Sequence, residues 1–281
     1  MVNIEEILSI SDMKLRSDLI LKGYLTGIHR VPYKGISAEF SQYREYTPGD
    51  DFDRIDWKVF LRTDKYYIKE SEDETNTDAF IMLDMSRSMD FGNKEQYAKT
   101  LAVLLARIAG MQSDKTGYAF FSEDIVKTVS PSDRIRLPRL IGDIENISPH
   151  GRTDIGKCIS DVQSHVRRNT FFILISDCAD NPLSIINSLS AVRAKGCDVI
   201  LMDIIDRREL SEELLSSSRL IDMETGRIMD SAGARQMRSS VLEFKNTLKG
   251  LALDKGIDYQ MISTDMPFYV SLNNFFKRRD R

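Results

Sequence analysis

Two stretches, Ala79-Phe80-Ile81-Met82-Leu83 and Phe171-Phe172-Ile173-Leu174-Ile175, constrain the fold of this chain most. Each is uniformly apolar, without the alternation of a strand wetted on one side, and so reads as a strand buried on both faces. Strand-like runs also occupy 116–122, 197–205 and 258–263, with helical patterns between them at 94–109, 154–167, 181–195, 235–252 and 266–278. In the first helix Ala98, Leu101, Ala102, Leu105 and Ile108 share a face; Asn93 serves as N-cap with Gln96 as its partner, and Gly110 as the stop. Such alternation predicts a mostly parallel sheet with helices on both faces. Ile125-Val126-Lys127-Thr128-Val129 follows the strand ending at Ser122 too closely for a crossover helix, which makes it an antiparallel edge strand.

The composition narrows the function classes. With 281 residues, 42% hydrophobic and 29% charged, the chain has material for a full core and no signature of disorder. A net charge of -4 argues against general nucleic-acid binding, which calls for a basic surface. No run reaches the about 18 consecutive apolar residues of a membrane helix, and Met1-Val2-Asn3-Ile4-Glu5-Glu6 lacks the basic and apolar regions of a signal peptide. The expectation is a cytoplasmic protein without membrane insertion. Cys158, Cys178 and Cys197 read as buried free thiols, and His29, His150 and His165 are too scattered for a histidine-based catalytic cluster.

Before the alternating region the pattern changes. Ile4, Ile7 and Leu8, then Leu19 to Leu21, suggest a leading helix or two, whereas 35–77 mixes charges with aromatic residues, and Lys65 to Lys69 reads as a strand. The expected division is an N-terminal segment, 1–75, that packs on a main domain, 76–281. Asp51, Asp53 and Asp56 do not form a calcium loop, since Ile55 and Asp56 stand at the fifth and sixth positions, where an oxygen ligand and a glycine are needed. Arg54, Asp56, Trp57 and Arg62 form a candidate patch, for packing against the sheet or for contact with a partner.

Directly after the first buried strand stand Asp84, Ser86 and Ser88 at spacing two. One carboxylate and two hydroxyls facing one way make half of an oxygen-ligand cation site of the kind that suits magnesium. An ordinary capped turn explains the same three residues. In open parallel sheets ligands sit beyond the carboxyl ends of the strands, where strand order reverses. Asp84 and Asp177 each fall at such an end.

With Gly151-Arg152-Thr153-Asp154 and Ser176-Asp177, the three loops resemble the metal-ion-dependent adhesion site of von Willebrand factor A domains. That resemblance implies that Asp84, Ser86, Ser88, Thr153 and Asp177 bind Mg2+ or Mn2+, within a three-layer α/β sandwich whose mostly parallel sheet has an antiparallel edge strand. Upstream, Gly35 to Phe40, Arg44 to Asp51, Arg54 to Trp57 and Arg62 to Lys65 resemble the bacterial domain-of-unknown-function family numbered 58. Members of that family are regarded as von Willebrand A-like proteins commonly encoded beside MoxR-type AAA+ ATPases. Many of them carry N-terminal membrane helices that are not seen in this sequence. The resemblance implies a metal-dependent protein-binding module whose partner is a MoxR-type AAA+ ATPase or its client, in protein maturation or complex assembly.

The alternative is a magnesium-dependent phosphoester hydrolase. Against it, Ser86 stands where aspartate-based phosphatases have a second acid, and neither a G-x-x-x-x-G-K-[ST] loop nor a G-x-S-x-G elbow is present. The expectation is therefore a protein without catalytic activity.

Overall fold

The computed structural model describes residues 4–28, 42–45, 65–70, 78–111, 115–132, 137–210, 220–221, 228–229 and 231–279. Two compact units are present, one of residues 1–24 with 77–281 and one of residues 25–76. In the smaller unit β1 (Gln42–Glu45) pairs antiparallel with β2 (Tyr67–Glu70). Arg54, Asp56, Trp57 and Arg62 lie outside the described residues.

The larger unit opens with α1 (Ile4–Leu8) and with α2 (Met13–Ile28) as far as Tyr24. Its sheet is built from β3 (Asp78–Asp84), β4 (Thr116–Phe121), β5 (Ile125–Ser132), β6 (Thr170–Ser176), β7 (Asp198–Ile205) and, later in the chain, β10 (Asp258–Ser263). The helices among these strands are α3 (Lys94–Met111), α4 (Leu137–Glu145), α5 (Ile155–Val162), α6 (Pro182–Ala194) and the single turn α7 (Arg207–Leu210). A small hairpin of β8 (Leu220–Ile221) and β9 (Ile228–Met229) follows, then α8 (Ser231–Asp254) and, after β10, α9 (Phe268–Arg279).

Strand order is β10-β7-β6-β3-β4-β5, parallel throughout except that β5 runs antiparallel beside β4 at one edge. This is the expected three-layer von Willebrand A-like arrangement. From β3 the chain builds outward to β4 and β5, then crosses back so that β6 lies on the other side of β3. Strand order reverses between β3 and β6, and this positions the site. The uniform apolarity of β3 is explained by its place, since all seven of its residues are buried.

Successive side chains of a strand point to opposite faces. Phe80, Met82, Phe172, Leu174 and Leu201 pack with Ile155, Cys158 and Ile159 of α5, with Ile185 and Leu189 of α6, and with Leu248 of α8. Ile81, Leu83, Ile173 and Ile175, also buried, alternate with them along β3 and β6, as Tyr118 and Phe120 alternate with the core residues Ala119 and Phe121 along β4, and these face the α3 layer. Tyr97 of α3 stacks on Phe268 of α9 with ring centroids 4.3 Å apart. On the outside of α3, Arg16 of α2 donates to Gln96 Oε1 and Thr100 Oγ1, each at 3.0 Å, and Arg107 donates to Ser17 and pairs with Asp18.

Local signals differ from the sequence expectation in three places. Gln96 accepts from Arg16 rather than closing a capping box, and the Asn93 amide donates to Asp206 Oδ2 at 2.9 Å. Gly110 lies inside the last turn of α3 instead of ending it. The α4 helix, with Leu140, Ile141 and Ile144 buried, is an additional element whose nine residues carry Pro138 in the first turn. No helix among the described residues is long and apolar enough to cross a membrane.

A candidate cation site at the carboxyl ends of β3 and β6

Asp84 ends β3 and is fully buried. Its Oδ1 accepts the Ser86 amide at 2.8 Å, and its Oδ2 accepts the Ser176 hydroxyl at 2.5 Å. Ser176 Oγ in turn accepts the Cys178 amide at 2.9 Å, so the first and third loops are joined through one hydroxyl. Cys178 holds a φ of 55°, the left-handed region that side chains other than glycine seldom occupy. The first loop continues as a short 3-10 turn over Arg87–Asp90 preceded by Ser86, whose side chain makes no capping bond. Instead Ser86 Oγ lies 3.1 Å from Ser88 Oγ, and Ser88 donates to Asp177 Oδ1 at 3.2 Å.

Backbone bonds bring in the second loop. The Arg87 amide donates to Gly151 O at 3.1 Å, the His150 amide to Met85 O at 2.8 Å, and the Asp154 amide to Ser122 O at 3.1 Å. The Ile155 amide donates to Asp180 Oδ2 at 2.9 Å, which ties this loop to the third one. Asp154, not Thr153, caps α5, through a bond from the Lys157 amide. Thr153 Oγ1 is left buried with no hydrogen-bond partner among the described residues. Capping thus accounts for neither the serines nor the threonine.

Asp177 is 6% exposed and surrounded by cations. Lys94, at the start of α3, donates to Asp177 Oδ2 and to Glu209 Oε1 of α7, both at 2.7 Å. Lys245 of α8 donates to the Asp177 carbonyl and to Asp203 Oδ1 of β7, both at 2.5 Å, while Tyr259 of β10 donates to Asp203 Oδ2 at 2.7 Å. Sequence reasoning missed Lys94, Ser176, Asp203, Lys245 and Glu209. One signal was available: Asp203 interrupts the apolar run of β7, and a charged residue in a strand buried on both faces requires a partner. On α8, Lys245 shares a stripe with Leu248 and Ala252, the side that faces the core.

The two carboxyls at the strand ends titrate in opposite directions. Burial, followed by repulsion from Asp177, pushes Asp84 up to about 7 against the bonds from Ser176 and Ser86. Burial acts on Asp177 in the same sense, but the Lys94 and Lys245 ammoniums and the bonds from Lys94 and Ser88 outweigh it and hold Asp177 below the ordinary range. Lys94 is itself raised: burial disfavours its charge, and Asp177 and Glu209 more than restore it.

No cluster of three or more histidine, cysteine or acidic side chains suited to a metal occurs among the described residues. Hydrogen bonds link two carboxylates, Asp84 and Asp177, with two hydroxyls, Ser86 and Ser88, and the adjoining second loop carries the Thr153 hydroxyl, which makes no bond to them. A hard cation with oxygen ligands matches that chemistry, and a thiolate- or imidazole-seeking metal does not.

A family model described as "Protein of unknown function DUF58" matches residues 42–246. Uncharacterized proteins of Mycobacterium tuberculosis and Mycobacterium bovis are 26% identical over 214 residues, covering 73% of this chain and 67% of theirs. Conserved hypothetical protein BatB from Bacteroides thetaiotaomicron superposes with a TM-score of 0.47 at 18% identity, over 72% of this chain and 99% of that one. Proximal thread matrix protein 1 from the mussel byssus, solved with a zinc-occupied MIDAS motif, gives a TM-score of 0.37 at 18% identity over 46% of this chain and 38% of that one. With well over half of its length inside the family model, this chain belongs to the family of proteins of unknown function DUF58.

Proposed function

We propose that the chain is a protein-interaction module whose binding surface is completed by Mg2+ or Mn2+ at Asp84, Ser86, Ser88, Thr153 and Asp177. One observation carries the reading. Asp84 is fully buried and has no cationic partner among the described residues, whereas the neighbouring Asp177 and Asp203 each have a lysine ammonium at hydrogen-bond distance. A buried carboxylate without a countercharge costs several kcal/mol in principle and marks a place where an external cation is stabilised. The unpartnered Thr153 hydroxyl in the adjoining loop supplies a further oxygen of the right kind.

When bound, the ion supplies an electrophilic position that takes up a carboxylate from a partner protein. Ser86, Ser88 and Thr153 contribute neutral oxygens and leave that positive charge undiminished. Asp84 anchors from β3, and Asp177 holds the third loop in register through Ser88. The partner we propose is a MoxR-type AAA+ ATPase, or a client that such an ATPase remodels, met in the cytoplasm. The absence of a second acid at position 86 supports a binding role over phosphoester hydrolysis.

The test is co-purification of the chain with a MoxR-type ATPase. Chelation should abolish the interaction, re-added Mg2+ should restore it, and Asp84→Ala and Ser86→Ala should each weaken it. An interaction that survives both chelation and Asp84→Ala excludes the cation as the contact. Hydrolysis of a phosphoester by purified protein that disappears in Asp177→Ala would favour the enzyme instead.

A further inference from the structure

We propose that Lys94 is a built-in competitor for the cation site, an internal charge that sets its affinity for a divalent ion, and that α7 adjusts this affinity through Glu209. The inference deepens the cation reading above and rests on it. Lys94 is 3% exposed, and its ammonium bridges a carboxylate of the site to one outside it: Asp177 Oδ2 and Glu209 Oε1, each at 2.7 Å.

Both oxygens of Asp177 are engaged, since Oδ1 accepts from Ser88 at 3.2 Å and from the Ala179 amide at 3.3 Å. An arriving divalent ion therefore meets a carboxylate already neutralised by an ammonium that burial shields from solvent screening. Glu209 draws on the same ammonium from a more exposed position, with 24% of its side chain accessible against 5% for Asp177. The more closely Glu209 holds Lys94, the more negative charge Asp177 presents to the ion.

The bridge is held at both ends by a single residue. Asp206, at the end of β7, accepts the Arg208 amide of α7 through Oδ1 at 3.0 Å and the Asn93 amide, next to Lys94, through Oδ2 at 2.9 Å. The Glu209 amide donates to the Asp206 carbonyl at 3.0 Å. Phe91 is covered by both cations, with Lys94 Nζ 5.5 Å and Arg208 Cζ 5.0 Å from its ring centroid. The start of α3 and the whole of α7 are thus one mechanical unit beside the site, and a displacement of α7 changes how Lys94 is shared.

Calorimetric titration of the full chain with MgCl2 at pH 8, with thermal unfolding in EDTA run alongside, tests this. Lys94→Met should bind Mg2+ at least about tenfold tighter than the parent, because a buried unit charge a few ångströms away is removed. Glu209→Gln should bind it several-fold weaker, because the ammonium then falls to Asp177 alone. Loss of packing alone does not give shifts of opposite sign. If Lys94→Met does not fold, Lys94→Gln, which keeps a donor without the charge, is read the same way. Affinity in Lys94→Met equal to or below the parent's, or movement of both variants in one direction, overturns the proposal while the cation reading stands. A parent that binds no Mg2+ removes both, a pattern distinguishable from the first.

Discussion

Asp84→Asn should make the metal-free protein more stable at alkaline pH, although it destroys the proposed site. The Asp84 carboxyl sits at about 7 in the folded chain, chiefly through burial and then through Asp177, whereas an unfolded aspartate titrates near 3.9. The folded value is the higher of the two. Stability contributed by the bound proton is therefore fully present below about pH 3.9 and is lost as pH rises through about 7. Above that, holding the carboxylate ionised costs about 4 kcal/mol, from roughly three pH units at 1.36 kcal/mol each. Asparagine carries no charge at any pH. It keeps an acceptor for the Ser86 amide but turns a donor toward Ser176 Oγ, which already accepts from Cys178. That reversal costs about 1–2 kcal/mol.

The net expectation is a gain of about 2–3 kcal/mol at pH 8 in EDTA, turning into a loss of about 1–2 kcal/mol at pH 4, where the parent carboxyl is already protonated. Urea unfolding of the two proteins at both pH values measures this. With saturating Mg2+ at pH 8 the order should reverse, since only the parent gains stability by binding the ion. A variant less stable than the parent at pH 8 in EDTA, or a difference that does not change with pH, refutes the reasoning.

Thr153→Val removes a hydroxyl that has no partner among the described residues, so metal-free stability should hold or rise by up to about 1 kcal/mol while Mg2+ affinity falls several-fold; urea unfolding and calorimetry separate the two effects. Lys245→Met strips Asp203 of its ammonium and should cost about 3–5 kcal/mol, with much of the loss recovered in the double variant with Asp203→Asn. Gly92→Ala should cost at least about 1–3 kcal/mol by the same measurement. At its φ of +65° a Cβ would stand 2.1 Å from both Arg208 Nη2 and Asp206 Oδ2, and Asp206 is buried and already bonded, with no room to retreat.

The sheet was legible because burial on both faces leaves a mark in the sequence. The runs ending before Asp84 and Asp177 read as strands buried on both faces, which is where the middle of the sheet holds them, and the two-residue gap before Ile125 left no length for a crossover. Helix ends were less legible. The start of α3 is held by Asp206, more than a hundred residues downstream, so Asn93 and Gln96 were assigned a local partnership that tertiary bonds replace. Asp84, Ser86 and Ser88 were singled out by their spacing and Asp177 by its place after a second buried run, and hydrogen bonds link these four residues in the structure. Their countercharges were not found, because a lysine at a helix start such as Lys94 reads as solvated surface until the neighbouring chain is in place.

The lysines that surround the site come from opposite layers of the sandwich. Lys94 belongs to α3, which covers one face of the sheet, and Lys245 to α8, whose Leu248 and Ala252 pack with α5 and α6 on the other. They converge on one residue, Lys94 on the Asp177 side chain and Lys245 on its carbonyl. Asp84, in contrast, has only neutral hydrogen-bond donors among the described residues, the Ser86 amide of the first loop and the Ser176 hydroxyl at the end of β6 among them. The third loop is therefore braced by charge from both layers, and the first is braced by neutral bonds around a carboxyl that ionises only with difficulty. Introducing a divalent ion would change the charge state of Asp84 and the charge balance around Asp177 together. The response would pass outward through the two lysines, to α7 by way of Glu209 and to β7 and β10 by way of Asp203 and Tyr259. On this reasoning a double-mutant cycle between Lys94→Met and Lys245→Met, read in Mg2+ affinity, should show non-additivity well above the about 0.3–0.5 kcal/mol typical of independent sites, because both act on the one residue that joins the two layers.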